Sequence, residues 1–298
     1  MAEDLNNAIA IIMNCWYKNI STLLLVISCL FTHCGSKSEA EPVTFANPDG
    51  YDMRKAVRVK LPLELDEISG VAYYPRDSSI FAINDEKGWL YKIKRGRQII
   101  HWPFAQGADF EDLVLLDSAF YVLQSTGNIS RVSFTSKNAV AVQQYTFDKG
   151  SGEDEFEILY YDSTKNKLIL MCKDCETDKK KSLTTYSFDP ATGKYEDSPF
   201  LINVQEIANS LGEEKMKFKP SAASINPKNG LLYIISAINK LIVVADVNGN
   251  FKKAYRIDPA VFKQPEGITF APSGGMIISN EAADVGVADI LYFSYLKP

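Results

Sequence analysis

The residues best suited to chemistry in this chain are carboxylates that recur at one position of a repeat. Glu111, Glu157 and Glu266 each stand at the entry of a short apolar run, and Ser69 and Ser221 take the same place in two further runs. Each run is followed by a turn and a second apolar run, and polar groups close that second run. They are Asn84, Asp85 and Glu86, then Gln124 and Ser125, Lys173 and Asp174, Ser236, and Asn280 with Glu281. If the two runs are antiparallel strands, the start of the first and the end of the second share one side. Three Glu side chains at equivalent positions around a ring repel one another unless they hold protons or share a counter-ion. A hard cation such as Ca²⁺, which takes six to eight oxygen ligands, meets that need. Glu111, Glu157, Glu266, Asp85 and Glu281 are therefore the candidate metal ligands, with Ser69, Ser221, Asn84 and Asn280 beside them. A hydrated polar ring, or side chains that cap turns, accounts for the same pattern. No contiguous EF-hand loop is present, so a cation site would be assembled across repeats.

Five segments share this plan, opening near Glu67, Phe110, Phe156, Pro220 and Pro265. Apart from the longer interval before Pro220, their spacing of roughly 45 residues is that of a four-stranded propeller blade. Short β-branched runs with tight turns between them agree with an all-β domain. The fifth repeat has three clear strands, and a lone strand, KAVRVKLPL at 55–63, precedes the first. Joining these facts gives a five-bladed β-propeller closed by its N-terminal strand, which removes the open edges between first and last blades. Six blades are the alternative, because 174–220 has room for a further hairpin. Within that stretch Val204, Ile207, Ala208 and Leu211 follow helical spacing, which predicts a short helix in an inter-blade loop.

The N-terminal region reads as a targeting segment. Residues 20–31, ISTLLLVISCLF, are too short for a membrane span, which needs about 20 apolar residues, and suit a signal-peptide core. Residues 1–12 are acidic and partly apolar, and a better leader starts at Met13. Cys34, followed by Gly-Ser-Lys-Ser, resembles a bacterial lipoprotein processing site, with Cys29 as the alternative and a plain signal peptide as the other reading. The expected organisation is a signal peptide over 1–34 with lipidation at Cys34, a polar tether over 35–52 and the propeller over 53–298. This places the protein in the cell envelope, anchored to a membrane and facing the periplasm, and a monomer is expected.

The composition narrows the chemistry further. A formal charge of -5 and no basic stripe give nucleic-acid binding little support. With His33 in the leader, only His101 remains, which excludes a His-rich metal site and leaves a Ser-His-Asp site a single candidate histidine. Cys172 and Cys175 form a CxxC after a strand, and in an exported protein a local disulfide is the favoured reading over free thiols, a redox site or a metal half-site. Trp89, Tyr91, Trp102, Tyr121, Tyr145 and Tyr233 are read as packing between blades.

The runs ELDEISGVAYYPRDSSIFAINDEKGWLYKI and QPEGITFAPSGGMIISNE resemble the SdiA-regulated family, also called CarP-like β-propellers, over roughly residues 55–296. The resemblance implies an exported or membrane-associated bacterial propeller, a link to calcium in some members, and kinship to β-propeller phytases. The expected function is a lipid-anchored propeller that binds a protein or small-molecule ligand at an acidic channel mouth, with Ca²⁺. One alternative is a calcium-dependent phytase-like phosphoesterase, against which the acidic or small residues at the aligned positions weigh. The other is a structural or protein-interaction platform.

Overall fold

Alternation of apolar runs with tight polar turns produces five antiparallel sheets arranged as a ring. The computed structural model describes residues 44–298 apart from 151–153, 176–177, 179–180, 198–199, 283–285 and 297–298. Cys34 and the leader lie outside the described residues. The closing strand is β1 (Val57–Lys60). Blade one holds β2 (Ile68–Tyr74), β3 (Ser79–Asn84), β4 (Trp89–Ile93) and β5 (Ile100–Pro103), and blade two β6 (Phe110–Leu116), β7 (Ala119–Gln124), β8 (Ile129–Ser136) and β9 (Ala139–Tyr145). Blade three holds β10 (Glu155–Asp162), β11 (Lys167–Asp174) and β12 (Ser182–Asp189), with β13 (Lys194–Glu196) and β14 (Leu201–Asn203) both paired to β12. Blade four holds β15 (Ala222–Ile225), β16 (Leu232–Ser236), β17 (Leu241–Ala245) and β18 (Phe251–Arg256). Blade five is β19 (Pro265–Phe270), β20 (Met276–Asn280) and β21 (Asp289–Phe293), completed by β1.

The ring closes as the lone strand predicts: Val57 pairs with Tyr292 and Lys60 with Asp289. The inner strands β2, β6, β10, β15 and β19 each lie beside the next, and β19 lies beside β2. The stretch 174–220 adds β12, β13 and β14 to blade three and a helix, α1 (Val204–Ser210), rather than a sixth blade. Asn203 caps α1, its side-chain oxygen accepting from the N–H of Gln205, and Val204, Ile207 and Ala208 turn inward. The compact unit starts at Phe45, so the tail of the 35–52 stretch is part of the domain. Tyr51 is buried there, donating to the Gly274 carbonyl at 2.7 Å and accepting from Asn226 at 2.7 Å.

Packing follows from blades stacking face to face. Middle strands such as β3, β16, β17 and β20 are buried along their whole length, while outer β5 and β9 are largely exposed. The described core divides into five clusters, one between each pair of neighbouring blades. Tyr91, Tyr121 and Tyr233 sit inside three of these, and Trp89, Trp102 and Tyr145 pack against their margins. Phe81 of blade one meets Phe120 of blade two at 4.5 Å between ring centres.

Candidate functional site

Four of the five blade openings carry a β-bulge, and the bulges place the site. Pairing runs from Phe110–Gln124 to Asp112–Leu123, leaving Glu111 as the extra residue. It runs from Phe156–Cys172 to Ile158–Met171, leaving Glu157, and from Pro265–Asn280 to Gly267–Ser279, leaving Glu266. In blade one the shift falls at Ser69-Gly70. An extra residue in one strand bends it and re-aims the side chain. Here it turns three glutamates out of the ladder and into the central channel. Gly70 is required by close approach, because a Cβ there would meet the backbone of Asp112 at 2.6 Å. Blade three carries a second shift on the facing strand: Glu155 pairs with Asp174 and Phe156 with Cys172, so Lys173 is also extra. Lys173 and Glu157 thus bulge from adjacent strands, and they form an ion pair.

These residues line a cavity of about 750 Å³ at one mouth of the channel. Its wall holds seven carboxylates, Asp85, Asp109, Glu111, Glu155, Glu157, Glu266 and Glu281, against three lysines, Lys173, Lys240 and Lys263. Ser69, Ser125 and Gln264 add neutral polar groups. Burial pushes Glu111 up to about 9, with the charges of Glu157 and Asp109 adding to it. Burial raises Glu266 to about 8, helped by Glu157 and Glu281. Glu281 also rises to about 8, through burial and then its hydrogen bond and repulsion with Glu67. Burial and Glu67 lift Asp85 to about 6. Glu157 is raised too, because burial outweighs its pairing with Lys173. Burial pulls Lys173 down, but Glu157, Glu111 and Glu266 together hold its ammonium above the ordinary lysine value. Burial lowers Lys240, against the pull of Glu266. Lys240 also has a φ of 52°, an uncommon backbone state for a non-glycine residue, and its ammonium donates to the Lys263 carbonyl.

The structure brings together Ser69, Asp85, Glu111, Glu157, Glu266 and Glu281 from the sequence-level set. It does not place Ser221, Asn84 or Asn280 on the cavity wall. Ser221 has no bulge to turn it, and its hydroxyl donates to the Pro265 carbonyl at 2.6 Å. The side-chain oxygen of Asn84 accepts from the N–H groups of Glu86 and Lys87, capping a turn. Asn280 is buried against Asp289, to which it donates at 2.8 Å. Lys219, which is not on the wall, bonds Asp174 at 2.8 Å. Residues missed from sequence are Asp109, Glu155, Gln264, Lys240 and Lys263. Asp109, Glu155 and Gln264 each stand two residues before a bulged glutamate, as Glu67 stands two before Ser69. That fixed offset is the signal that would have found them.

The donor set suits a hard cation: the wall offers oxygen ligands, and Oδ1 of Asp85 is buried without a hydrogen-bond partner. Asp85, Glu281, Glu266, Glu111 and Glu157 are the residues that would hold it. Elsewhere Asp178 lies within 4.8 Å of the sulfurs of Cys172 and Cys175, but those two are disulfide-bonded, with Cα atoms 5.7 Å apart. No described helix is long and apolar enough to cross a membrane.

The model of one family, SdiA-regulated, matches residues 50–284. No curated protein matches the sequence. Among solved structures the fold is similar to glutaminyl cyclase from Myxococcus xanthus, at 13% identity and a TM-score of 0.55, covering 81% of this chain and 98% of that one. It is similar to regucalcin from Agrobacterium tumefaciens, a calcium-binding protein, at 11% identity and a TM-score of 0.50, covering 77% and 91%. A glucose dehydrogenase matches at 9% identity and a TM-score of 0.51, covering 79% and 98%. At such identities the likeness is one of fold.

Proposed function

We propose that this chain, which belongs to the SdiA-regulated family, is a cell-envelope β-propeller that binds Ca²⁺ at its acidic channel mouth and, with it, a protein or small-molecule ligand. One observation carries the reading: seven carboxylates share one cavity with only three lysines, and burial and mutual repulsion push Glu111, Glu266 and Glu281 above the ordinary glutamate value. A divalent cation supplies the missing positive charge and accepts several oxygens at once. That regucalcin, of similar fold, is a calcium-binding protein is consistent with this. Attachment through a lipid on Cys34 and a periplasm-facing position complete the reading from the N-terminal sequence, and the protein is taken to act as a monomer.

The test is a thermal-unfolding series on the whole protein with Ca²⁺ or with a chelator. A rise in Tm with Ca²⁺, lost in Glu111→Gln/Glu157→Gln, is the expected result. No shift at millimolar Ca²⁺ removes the cation reading and leaves the interaction platform. A second reading draws on Lys173, Lys240 and Lys263, which line the same cavity and offer charge to a phosphate. It makes the protein a calcium-dependent phosphoesterase. Phosphate release from phytate and simple phosphomonoesters in Ca²⁺ decides it, and background rates under all conditions eliminate it.

A further inference from the structure

Among the cations at the mouth, Lys173 is the one in an ion pair with a bulged glutamate. Its placement is fixed from several directions. It is the unpaired extra residue of β11, directed inward by the same distortion that directs Glu157. Its chain neighbours are both tied down: Cys172 is bonded to Cys175, and Asp174 accepts from Lys219 at 2.8 Å and Lys217 at 3.1 Å. A lysine side chain is long and flexible and would otherwise spread over many rotamers. Here the backbone that launches it is clamped on each side, and the ammonium is half-buried against a carboxylate that is itself nearly covered.

We propose that Lys173 is a tethered counter-cation of the carboxylate ring, positioned to compete with dissolved ions and so to set how strongly the mouth binds a divalent cation. The proposal rests on the cation-binding reading above. A fixed positive charge beside Glu157 satisfies part of the ring and repels an incoming ion, and in a partly buried site that repulsion is weakly screened. Such a mouth binds Ca²⁺ more loosely than its carboxylates alone would. The disulfide and the Asp174 ion pairs then act as positioning elements, because they hold the backbone from which Lys173 reaches the ring.

The experiment is calorimetric titration of the full chain with CaCl₂ alone, for wild type and for Lys173→Met, Lys173→Gln and Lys173→Arg, with circular dichroism to establish folding. The expected result is that the Met and Gln variants bind Ca²⁺ at least about tenfold more tightly than wild type. Arg, which keeps the charge, stays near wild type. Cys172→Ser/Cys175→Ser moves in the same direction as Met, by less. Wild-type binding with unchanged or weaker binding by folded Met and Gln variants overturns the proposal and leaves the cation reading standing. Binding by the Met and Gln variants alone supports the proposal, with the wild-type affinity pushed below the range tested. No binding by any of them at about 1 mM Ca²⁺, the range of weak extracellular sites, overturns both.

Discussion

Raising the pH should tighten Ca²⁺ binding steeply, because the ion must displace protons that the empty ring holds. Glu111 titrates near 9, and Glu266 and Glu281 near 8. At pH 7 all three are mostly protonated, and Ca²⁺ coordination needs them ionised. Binding one ion that engages all three therefore releases about three protons at pH 7, about two at pH 8 and fewer than one at pH 9. By linkage the apparent Kd falls by roughly two to three orders of magnitude per pH unit near pH 7 and levels off above pH 9. The assay is calorimetry at pH 7 in two buffers of different ionisation enthalpy, repeated at pH 8 and 9. The difference in observed heat between buffers gives the proton count directly. If Ca²⁺ binds with the same heat in both buffers, and with the same Kd from pH 7 to pH 9, this account of the ring is wrong.

The same groups govern stability without metal. Their folded-state pKa values lie above the ordinary glutamate value, so their contribution is full below that value and is lost as pH rises through 8–9. In chelator, Tm should fall between pH 6 and pH 9, and a flat or rising profile would contradict this. Gly70→Ala places a Cβ 2.5 Å from Oδ1 of Asp112 and 2.7 Å from the Leu113 nitrogen, and should cost about 1–3 kcal/mol by chemical denaturation. Asp112→Ala removes the acceptor for the N–H groups of Leu113 at 2.8 Å and Leu159 at 2.9 Å, the latter across blades two and three. It should cost about 1–3 kcal/mol for each buried donor left unpaired, and an unchanged denaturation midpoint would refute that role.

The fold was readable because a propeller repeats itself. Spacing located the five inner strands, and a missing strand at one end with a spare one at the other located the closure. The site was readable only in part. Register pointed to Glu111, Glu157 and Glu266, but the reason they face the channel is a bulge, and a bulge leaves no mark in hydrophobic periodicity. Ser221 occupies the equivalent position in blade four without one, and so serves the backbone of blade five instead. Asn84 and Asn280 sit at strand ends where short amides satisfy turns and neighbouring carboxylates, and local chemistry claims them first. Lys240 and Lys263 come from loops between strands, whose paths periodicity does not specify.

The strand that closes the ring also governs when the domain can be finished. β1 and its partner β21 lie roughly 230 residues apart along the chain. Blades one to four pair strands that are close in sequence, whereas blade five pairs strands from opposite ends of the domain. High-contact-order pairing of this kind is slow and leaves sheet edges open until its last step. Folding should therefore end in a single late docking event, and chains cut before Asp289 should stall as open rings that associate through the unpaired edge of β20. A circular permutant that joins the two ends and opens the ring between blades two and three would make blade five contiguous and move the late step to the new opening.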